Sequence, residues 1–242
     1  MRLMAALVLL IQDPKPTPTA WGRIEWTPRS ALLRVESWPA DGKLAMPRLN
    51  NPLQGVYLEG DEARTPLKFE PGVSEWWVTR PAMKEGNVVV VETVGIPHPA
   101  GEPVQARPAA DGSVTLPAHL AVTHGKMLRY EPQPHKNTVG YWVEESDWCG
   151  WSFTLAKPGV YTVYLLQGCG KGQGGSTVKL SAGGQSLEYT VEDTGGFQSF
   201  VERPAGTVKM ESAGVFTLEI RAVRKAKAAV MDVREVRLVP SE

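Results

Sequence analysis

VYTVYLLQGCGKGQGGSTVKLSA (residues 160–182) decides the fold class, because a glycine-rich run lies here between two segments of strand composition. The run QGCGKGQGGS (167–176) contains five glycines and Lys171, which raises the question of a phosphate-binding loop. Such a loop reads G-x-x-x-x-G-K-[ST] and is followed by a helix whose N-terminus faces the anion. No Ser or Thr follows Lys171, and a strand segment follows the run. We therefore predict a close-packed connection between two strands and no nucleotide site.

Composition and charge favour an all-β protein without an anionic macromolecular partner. Twenty-six Lys and Arg residues balance 26 Asp and Glu residues, so no net field attracts nucleic acid or an anionic membrane. The 242 residues include 24 glycines and 20 prolines, a content typical of many short strands joined by turns. This length allows one large or two small domains, each with its own core.

The N-terminus, MRLMAALVLLIQDPKPTPTA, has the pattern of a short export signal. Arg2 precedes the apolar run Leu3–Ile11, which is too short for the roughly 20 residues that span a bilayer. No A-x-A cleavage site follows, so a frayed apolar N-terminus is the alternative interpretation. We predict that residues 1–20 are a signal segment and linker, and that the protein is secreted or periplasmic without membrane contact after signal cleavage.

The rest of the chain predicts two domains. Short strand-like runs alternate with turns from Trp21 onward, and no apolar period of 3.6 residues is sustained. The proline-rich segment 96–113 interrupts them and is predicted to be a linker. We expect two antiparallel β-sandwiches, at 21–95 and 114–240, the second jelly-roll-like. Within the second, the turn AKPG (156–159) predicts a long hairpin.

The two cysteines, Cys149 and Cys169, leave two states open. A lone pair of sulfur ligands is too few for a zinc site. In an exported protein the two could form one disulfide, although the hairpin predicted at AKPG places Cys149 opposite Leu166, three positions short of Cys169. The alternative is two buried free thiols.

No histidine falls in a catalytic motif such as G-x-S-x-G or H-E-x-x-H. The four histidines are His98, His119, His124 and His135. The sequence shows no oriented Ser/His/Asp set. We expect no catalytic residue and no enzyme activity.

Sugar binding is the sharper hypothesis, because aromatic rings stack on sugar rings while carboxylates and amides bind hydroxyl groups. The candidate carbohydrate-binding residues are Trp142, Trp148, Glu145, Asp147, Glu192 and Asp193. In an alternating strand Trp151 and Phe153 share the core face, and Trp148 lies on the opposite face or in the preceding turn. Trp76 and Trp77 also point to opposite faces. For every aromatic residue the alternative is a core or rim anchor.

Both halves resemble modules of secreted glycoside hydrolases. Residues 21–95 carry Trp-Gly-Arg at 21–23, Trp-Pro-x-Asp-Gly-Lys-Leu at 38–44, and an Asn and a Tyr-Leu pair in Asn51–Leu58. This segment resembles the C-terminal β-sandwich of glycoside hydrolase family 29 α-L-fucosidases. Residues 114–239 resemble a jelly-roll module of the carbohydrate-binding type found on secreted bacterial fucosidases and sulfatases. The motifs are LPAHLAVTHGKMLRYE, GYW, QGCGKGQGGS, VEDTGGFQSF and AVMDVREVRL.

The resemblance implies an accessory protein without the catalytic part. In family 29 the chemistry belongs to a separate barrel-type domain before this sandwich, and a barrel takes about 250 residues. Only about twenty residues precede Trp21. Retaining glycoside hydrolysis also needs a matched pair of carboxylates, which the barrel supplies. We therefore expect no catalytic site in this chain.

The resemblance also implies a calcium site, but most of its residues have changed. The Glu of the usual opening A-E-x-A is His119, and the usual Asn-Leu-Asp is Val230-Met231-Asp232. Calcium prefers six to eight oxygen ligands. We expect no cofactor and no metal site, with Asp232 as the one residue that a structural calcium ion could still use.

Together these observations predict a non-catalytic accessory protein that binds a glycan or docks to polysaccharide-degrading enzymes such as a glycoside hydrolase. One alternative is a structural or protein-interaction module without glycan binding. Another is the accessory part of a split α-L-fucosidase whose barrel is a separate chain.

Overall fold

A computed structural model of the protein describes residues 15–82, 86–101 and 103–241. Over these ranges the chain forms twenty β-strands and a single 3-10 turn at Ala118–Leu120, which confirms the all-β class. No helix in the described part is long and apolar enough to cross a membrane. The apolar run of the predicted export signal lies outside the described residues, but Thr17–Thr19, expected to belong to a linker, forms an edge strand.

The N-terminal half consists of a five-stranded and a three-stranded antiparallel sheet. Their orders are β1-β2-β3-β8-β5 and β4-β7-β6. The strands are β1 Thr17–Thr19, β2 Gly22–Trp26, β3 Ser30–Val35, β4 Lys43–Pro47, β5 Leu53–Leu58, β6 Phe69–Pro71, β7 Glu75–Thr79 and β8 Val88–Thr93. The valine run of β8 is buried because this strand lies between β3 and β5. On β7, Trp76 is fully buried and Trp77 is half-buried, which confirms their opposite faces.

The C-terminal half consists of two six-stranded sheets that form a jelly-roll-like sandwich. The β15 sheet has the order β12-β13-β20-β15-β18, with β10 also on β20, and the β14 sheet has the order β11-β14-β19-β16-β17, with β9 parallel to β14. The strands are β9 Gln105–Ala106, β10 Val114–Pro117, β11 Val122–His124, β12 Arg129–Glu131, β13 Thr138–Gly140, β14 Trp148–Leu155, β15 Gly159–Cys169, β16 Thr177–Ala182, β17 Gln185–Thr190, β18 Gly196–Met210, β19 Gly214–Arg224 and β20 Asp232–Pro240.

The predicted hairpin at AKPG is wrong, because β14 and β15 lie in different sheets. β14 pairs with β19 and β11, and β15 pairs with β18 and β20. Both strands carry an apolar face, with Trp151 and Phe153 on one and Tyr161 and Val163 on the other. Facing sheets bury both faces in one core, so the turn carries the chain from one sheet to the other.

Both cysteines are fully buried free thiols, the second of the two states left open by the sequence. Cys149 lies on β14 and Cys169 at the end of β15, in different sheets. Burial raises the pKa of both thiols, that of Cys169 to about 11 with a further contribution from the nearby Asp193 and Asp232. Neither is a reactive thiolate at neutral pH.

The two halves share a buried contact built around Arg48. Its Nη2 donates to the carbonyl oxygen of Ala121 at 2.7 Å, and its Nη1 donates to Thr123 Oγ1 at 3.3 Å. The guanidinium lies 5.6 Å from the ring centre of Tyr130, which also packs against Trp76. Burial lowers the pKa of Arg48 to about 10, so it stays charged at neutral pH. These contacts join the halves through polar and aromatic groups.

The segment 96–113 is tied to both halves. Asn51 donates to the carbonyl oxygens of Val94 and Ile96 and accepts a hydrogen bond from the backbone N–H of His98. Further along, Gln105–Ala106 pairs with β14. The segment therefore packs against its neighbours, and the domain boundaries at 21–95, 96–113 and 114–240 stay a prediction.

Candidate functional site

One pocket of the C-terminal half combines aromatic, charged and amide side chains. It lies at the end of the β15 sheet, where β13 ends and β18 and β20 begin, and has a volume of about 340 Å³. Its lining residues are Arg129, Glu131, Lys136, Tyr141, Trp142, Val143, Phe197, Gln198, Ala229 and Asp232. We refer to it as the β13–β18–β20 pocket.

Two irregularities of β15 lie beside this pocket. The register with β20 shifts between Leu166 and Gln167, and the register with β18 shifts between Gln167 and Cys169. Bulges of this kind bend a strand and redirect side chains, and they are frequent next to functional sites. Both register shifts of β15 lie next to the pair formed by Gly168 and Asp232. The strand pairing is therefore irregular at the end of the sheet that borders the pocket.

Tyr141 is the exposed aromatic residue of the pocket. Its side chain is 46% exposed, and its backbone has a φ of 60°, a conformation that bulky residues rarely adopt. The Arg129 guanidinium carbon lies 3.8 Å from the centre of its ring. Backbone strain of this kind costs about 1–3 kcal/mol and concentrates at functional sites. The backbone conformation of Tyr141 is therefore a second feature, besides the bulges of β15, that is typical of functional sites.

The glycine-rich run is a close-packed connection from β15 to β16, as predicted, and it contacts the pocket wall. A Cβ atom on Gly168 would lie 2.1 Å from the carbonyl oxygen of Phe197. A Cβ atom on Gly170 would lie 2.6 Å from Cε2 of the same residue. Only glycine permits this approach, which lets Phe197 line the pocket.

Two buried carboxyl groups lie within the pocket lining. Asp232 and Glu131 are 3% and 5% exposed, and a Cβ atom on Gly140 would lie 2.8 Å from an oxygen of each. Lys136 Nζ pairs with Glu131 Oε1 at 2.8 Å. Burial, with a further contribution from Glu131, raises the pKa of Asp232 to about 8. Asp232 is therefore largely protonated at neutral pH and can donate a hydrogen bond.

Three buried polar atoms of the lining have no hydrogen-bond partner among the described residues. They are Arg129 Nε, Trp142 Nε1 and Asp232 Oδ2. Buried polar groups are nearly always paired, so each exception calls for an explanation such as a ligand or a water molecule. Their concentration in one pocket indicates a place for a polar ligand.

A second hollow, in the N-terminal half, lacks this property. It has a volume of about 480 Å³ and is lined by residues that include Trp38 and Arg80, with the guanidinium 5.9 Å from the ring centre. Over the described ranges, none of its lining residues has a buried side-chain polar atom without a partner. Its size alone does not make it the better candidate.

Of the predicted sugar-binding residues, Trp142 alone lines the pocket. Its side chain has no exposed surface, so its ring is not available to stack on a ligand. The neighbouring Tyr141 presents the exposed ring, and the Trp142 indole N–H has no hydrogen-bond partner among the described residues. Both aromatic residues of the GYW pattern line the pocket, and a sugar-binding role for Trp142 stays a prediction.

Trp148 is not placed for sugar stacking, because both of its ring faces are covered. It pairs across the β14 sheet with His124 on β11 and Arg221 on β19. The His124 ring stacks on it at 3.7 Å, and the Arg221 guanidinium lies 3.7 Å from its ring centre. As predicted, Trp148 lies on the face opposite to the buried Trp151. We refer to these three residues as the β14 stack.

Asp147 and Glu145 accept hydrogen bonds from the backbone N–H groups of other segments. Asp147 is buried and accepts hydrogen bonds from the backbone N–H groups of residues 126–128 at 2.8–2.9 Å. Burial raises the pKa of Asp147, but these hydrogen bonds outweigh it, and the pKa lies below its usual value. Glu145 is exposed and accepts a hydrogen bond from the backbone N–H of Lys225 at 2.6 Å.

Glu192 and Asp193 lie in the turn before Phe197 and bind other parts of the protein. Glu192 forms an exposed ion pair with Arg203 at 3.0 Å. Asp193 accepts hydrogen bonds from the backbone N–H groups of Gly195 and Gly172, which lower its pKa. Asp193 thereby fixes the glycine-rich connection, and neither residue lines the pocket.

The remaining pocket residues were missed by the sequence reasoning. The missed residues whose side chains could contact a ligand are Tyr141, Arg129, Glu131, Lys136, Phe197 and Gln198. An available signal was the alternation in GYW, since adjacent residues of an extended segment face opposite sides. Charged residues of β12 are brought to Tyr141 only by the strand register, in which Arg129 pairs with Gly140.

The surroundings of Asp232 do not fit a calcium ion. One further carboxyl group, Glu131, lies close, and the ammonium group of Lys136 pairs with it. Calcium takes six to eight oxygen ligands. No group of three or more His, Cys, Asp or Glu residues in the described ranges could hold a metal ion. His119 has a buried Nδ1 without a protein partner in those ranges, and burial lowers its pKa.

A comparison with family models matches residues 129–242 to a domain of unknown function, DUF5077. This segment begins at Arg129 and contains all of the pocket lining. No curated protein matches the chain.

Solved structures with similar strand arrangements include one enzyme and two binding modules. An α-L-fucosidase from Vibrio sp. strain EJY3 is 17% identical with a TM-score of 0.38, and the match covers 93% of this chain but 40% of the enzyme. The C-terminal CBM6 of LamC, a marine laminarinase from Zobellia galactanivorans, is 18% identical over 52% of this chain and 98% of its own, with a TM-score of 0.43. A family 35 carbohydrate-binding module from Clostridium thermocellum is 14% identical over 53% of this chain and 98% of its own, also at 0.43. All three TM-scores are below 0.5, and no ligand or activity follows from them.

Proposed function

We propose that the protein is a non-catalytic accessory module that binds a carbohydrate in the β13–β18–β20 pocket. The observation that carries the proposal is the concentration there of buried polar atoms without protein partners in the described chain, next to an exposed aromatic ring. A sugar presents both an apolar face and hydroxyl groups, so it would use the two kinds of surface together.

The pocket offers the groups that a sugar ring needs. Tyr141 presents an exposed ring, and Phe197 adds a second aromatic side chain. The Gln198 amide and the Asp232 carboxyl group can bind hydroxyl groups, and Trp142 Nε1 is a further donor. A volume of about 340 Å³ suits one or two sugar rings, within the range of small-ligand sites.

The cellular role that we propose follows the sequence resemblance. An exported protein of this kind would attach to glycans or bring a polysaccharide-degrading enzyme to them. We propose a secreted or periplasmic location on the basis of the apolar run at 3–11. Docking to a glycoside hydrolase is the second part of the proposal, and the resemblance of 21–95 to a fucosidase sandwich supports it.

Calorimetric titration of the purified protein with fucosylated, sulfated and unmodified oligosaccharides tests the binding function. The expected result is saturable heat with at least one glycan. Replacement of Tyr141 by Ala should weaken that binding about tenfold to hundredfold, because a buried aromatic contact contributes about 1.5–3 kcal/mol.

Tyr164→Ala is the matched control for Tyr141→Ala. Tyr164 is half-buried, and the Arg237 guanidinium carbon lies 5.5 Å from its ring centre, but it is on β15 outside the pocket lining. This variant should keep the affinity of the unmodified protein. Equal losses in both variants, or no heat with any glycan, would refute the pocket as a sugar site.

Two other outcomes would support the alternatives. Hydrolysis of an aryl fucoside by the isolated chain would overturn the non-catalytic function. Co-purification with a separate barrel protein, without glycan binding, would favour the accessory part of a split α-L-fucosidase.

A further inference from the structure

We propose that the ligand of the β13–β18–β20 pocket is an acidic glycan, and that Arg129 binds its carboxylate or sulfate group. This inference rests on the proposed sugar-binding function of the same pocket and assigns the chemical class of the ligand.

Arg129 has an unused set of hydrogen-bond donors. Its side chain forms no ion pair and donates no hydrogen bond within the described residues, and its Nε is buried. By contrast, Arg237 beside Tyr164 is paired with Glu202 through two hydrogen bonds of 2.9 Å. A planar guanidinium group matches the paired oxygens of a carboxylate or sulfate, so an unpaired arginine in a pocket is suited to an anion.

Tyr141 holds the guanidinium group in place. The guanidinium carbon lies 3.8 Å from the ring centre, close enough for a stacked cation–π contact. Arg129 and Tyr141 are neighbours because Arg129 pairs with Gly140 across β12 and β13. An arginine fixed in this way loses less side-chain entropy when it binds an anion.

The charges of the other lining residues leave Arg129 uncompensated. Lys136 and Glu131 neutralise one another at 2.8 Å. Asp232 is 3% exposed, and burial raises its pKa to about 8, so at neutral pH it adds little negative charge. The lining therefore carries a net positive charge, located at Arg129. A neutral sugar would leave this charge without a partner, whereas an acidic sugar supplies one.

Calorimetry with three matched probes tests this inference. The probes are trigalacturonic acid, a sulfated galactose trisaccharide and the unsulfated galactose trisaccharide, each titrated in about 0.05 M and about 0.5 M salt. The expected result is at least about tenfold tighter binding of an acidic probe than of the neutral one, with the difference reduced at the higher salt concentration. Preference for either acidic probe supports the inference and identifies the anionic group.

Arg129→Ala should weaken binding of the acidic probe about tenfold to hundredfold and weaken any binding of the neutral probe by a much smaller factor. Arg129→Lys keeps the charge but loses the planar fork, so an intermediate loss is expected. Arg237→Ala is the matched control, since this arginine also lies near a tyrosine but outside the pocket. Thermal unfolding of each variant verifies that it is folded.

Two results would overturn the inference in different ways. Equal binding of acidic and neutral probes, unaffected by Arg129→Ala, would refute the acidic ligand while the sugar-binding function stands. Absence of binding to all three probes and to the wider glycan panel would refute the sugar-binding function itself.

Discussion

The β13–β18–β20 pocket and the β14 stack both place an arginine on an aromatic ring, but only the pocket leaves its groups free. In the stack, the Trp148 ring is covered on both faces by His124 and Arg221, and Arg221 is paired with Glu219 at 2.9 Å. In the pocket, Tyr141 is 46% exposed and Arg129 has no ion-pair partner in the described chain. The stack completes its own contacts, whereas polar atoms of the pocket have no partner among the described residues.

The comparison shows which property indicates a ligand site. An aromatic residue in contact with an arginine is common to both regions, so this feature does not distinguish them. Unpaired polar atoms at the end of an irregular sheet distinguish the pocket, and they depend on strand register.

Gly168→Ala should destabilise the protein by about 3 kcal/mol and abolish binding in the pocket, while the β14 stack stays intact. The added Cβ would lie 2.1 Å from the backbone carbonyl oxygen of Phe197, so the strand itself must move. Urea denaturation measures the free energy of unfolding of each variant. Gly101→Ala is the control, because no heavy atom of the described protein lies within 4 Å of its added Cβ. Equal stability of the two variants would contradict the close approach at the pocket wall.

Asp232→Asn should change the pH dependence of stability. The pKa of Asp232 in the folded protein is about 8, above the value of about 3.9 in an unfolded chain. Its contribution to stability is therefore complete below about pH 4 and is lost as the pH rises toward 8. Between about pH 4 and 8, the free energy of unfolding of the unmodified protein should fall by up to about 1.4 kcal/mol per pH unit relative to that of the variant.

The control for this pH effect is Asp111→Asn. Asp111 is exposed, and hydrogen bonds from Ser113 lower its pKa, so its replacement should not alter the slope between pH 5 and 8. If the unmodified protein and Asp232→Asn show parallel stability curves from pH 5 to 8, the protonated carboxyl group in the pocket is refuted.

Trp148→Ala should reduce stability by about 1–2 kcal/mol and leave glycan affinity unchanged. The substitution removes the stacking contacts of His124 and Arg221, and a cation–π contact contributes about 0.5–2 kcal/mol according to its exposure. Thermal unfolding and calorimetry together measure the two effects. Loss of binding without loss of stability would make the stack the sugar site.

Glu192→Gln should have the smallest effect. Its ion pair with Arg203 is exposed on both sides, and such pairs contribute less than about 1 kcal/mol. Since Glu192 does not line the pocket, glycan affinity should be unchanged within error in calorimetry. A tenfold loss of affinity would show that this turn belongs to the binding site.

Much of the fold was predictable from local sequence patterns. Glycine and proline content, alternating strands and the strand segments on both sides of the run 167–176 indicated an all-β sandwich, because these features depend on neighbours along the chain. The partner of β14 was not predictable in this way. A short turn such as AKPG fits both a hairpin and a crossing between sheets, and only burial of two apolar faces against each other selects the crossing.

The site was predictable only in part. Both aromatic residues of the GYW pattern line the pocket, and alternation along an extended segment predicts that one of Tyr141 and Trp142 is exposed. Which of the two is exposed depends on how β13 pairs with its neighbours, and a local pattern does not give that pairing. Phe197 and Asp232 come from strands far apart in sequence, and pairing of both strands with the end of β15 brings them to the same end of the sheet. Glu192, Asp193, Asp147 and Glu145 have side chains suited to sugar hydroxyl groups, but loop backbone and Arg203 use them instead.

A nuclear magnetic resonance titration of the tryptophan indole N–H signals with an oligosaccharide that binds tests the location of the site most directly. Trp148→Phe identifies the Trp148 signal, and Trp142→Phe that of Trp142. We expect a large shift of the Trp142 signal, because its Nε1 borders the pocket without a partner in the described protein, and little change of the Trp148 signal. A shift of the Trp148 signal with an unchanged Trp142 signal would contradict the account and place the ligand on the β14 stack.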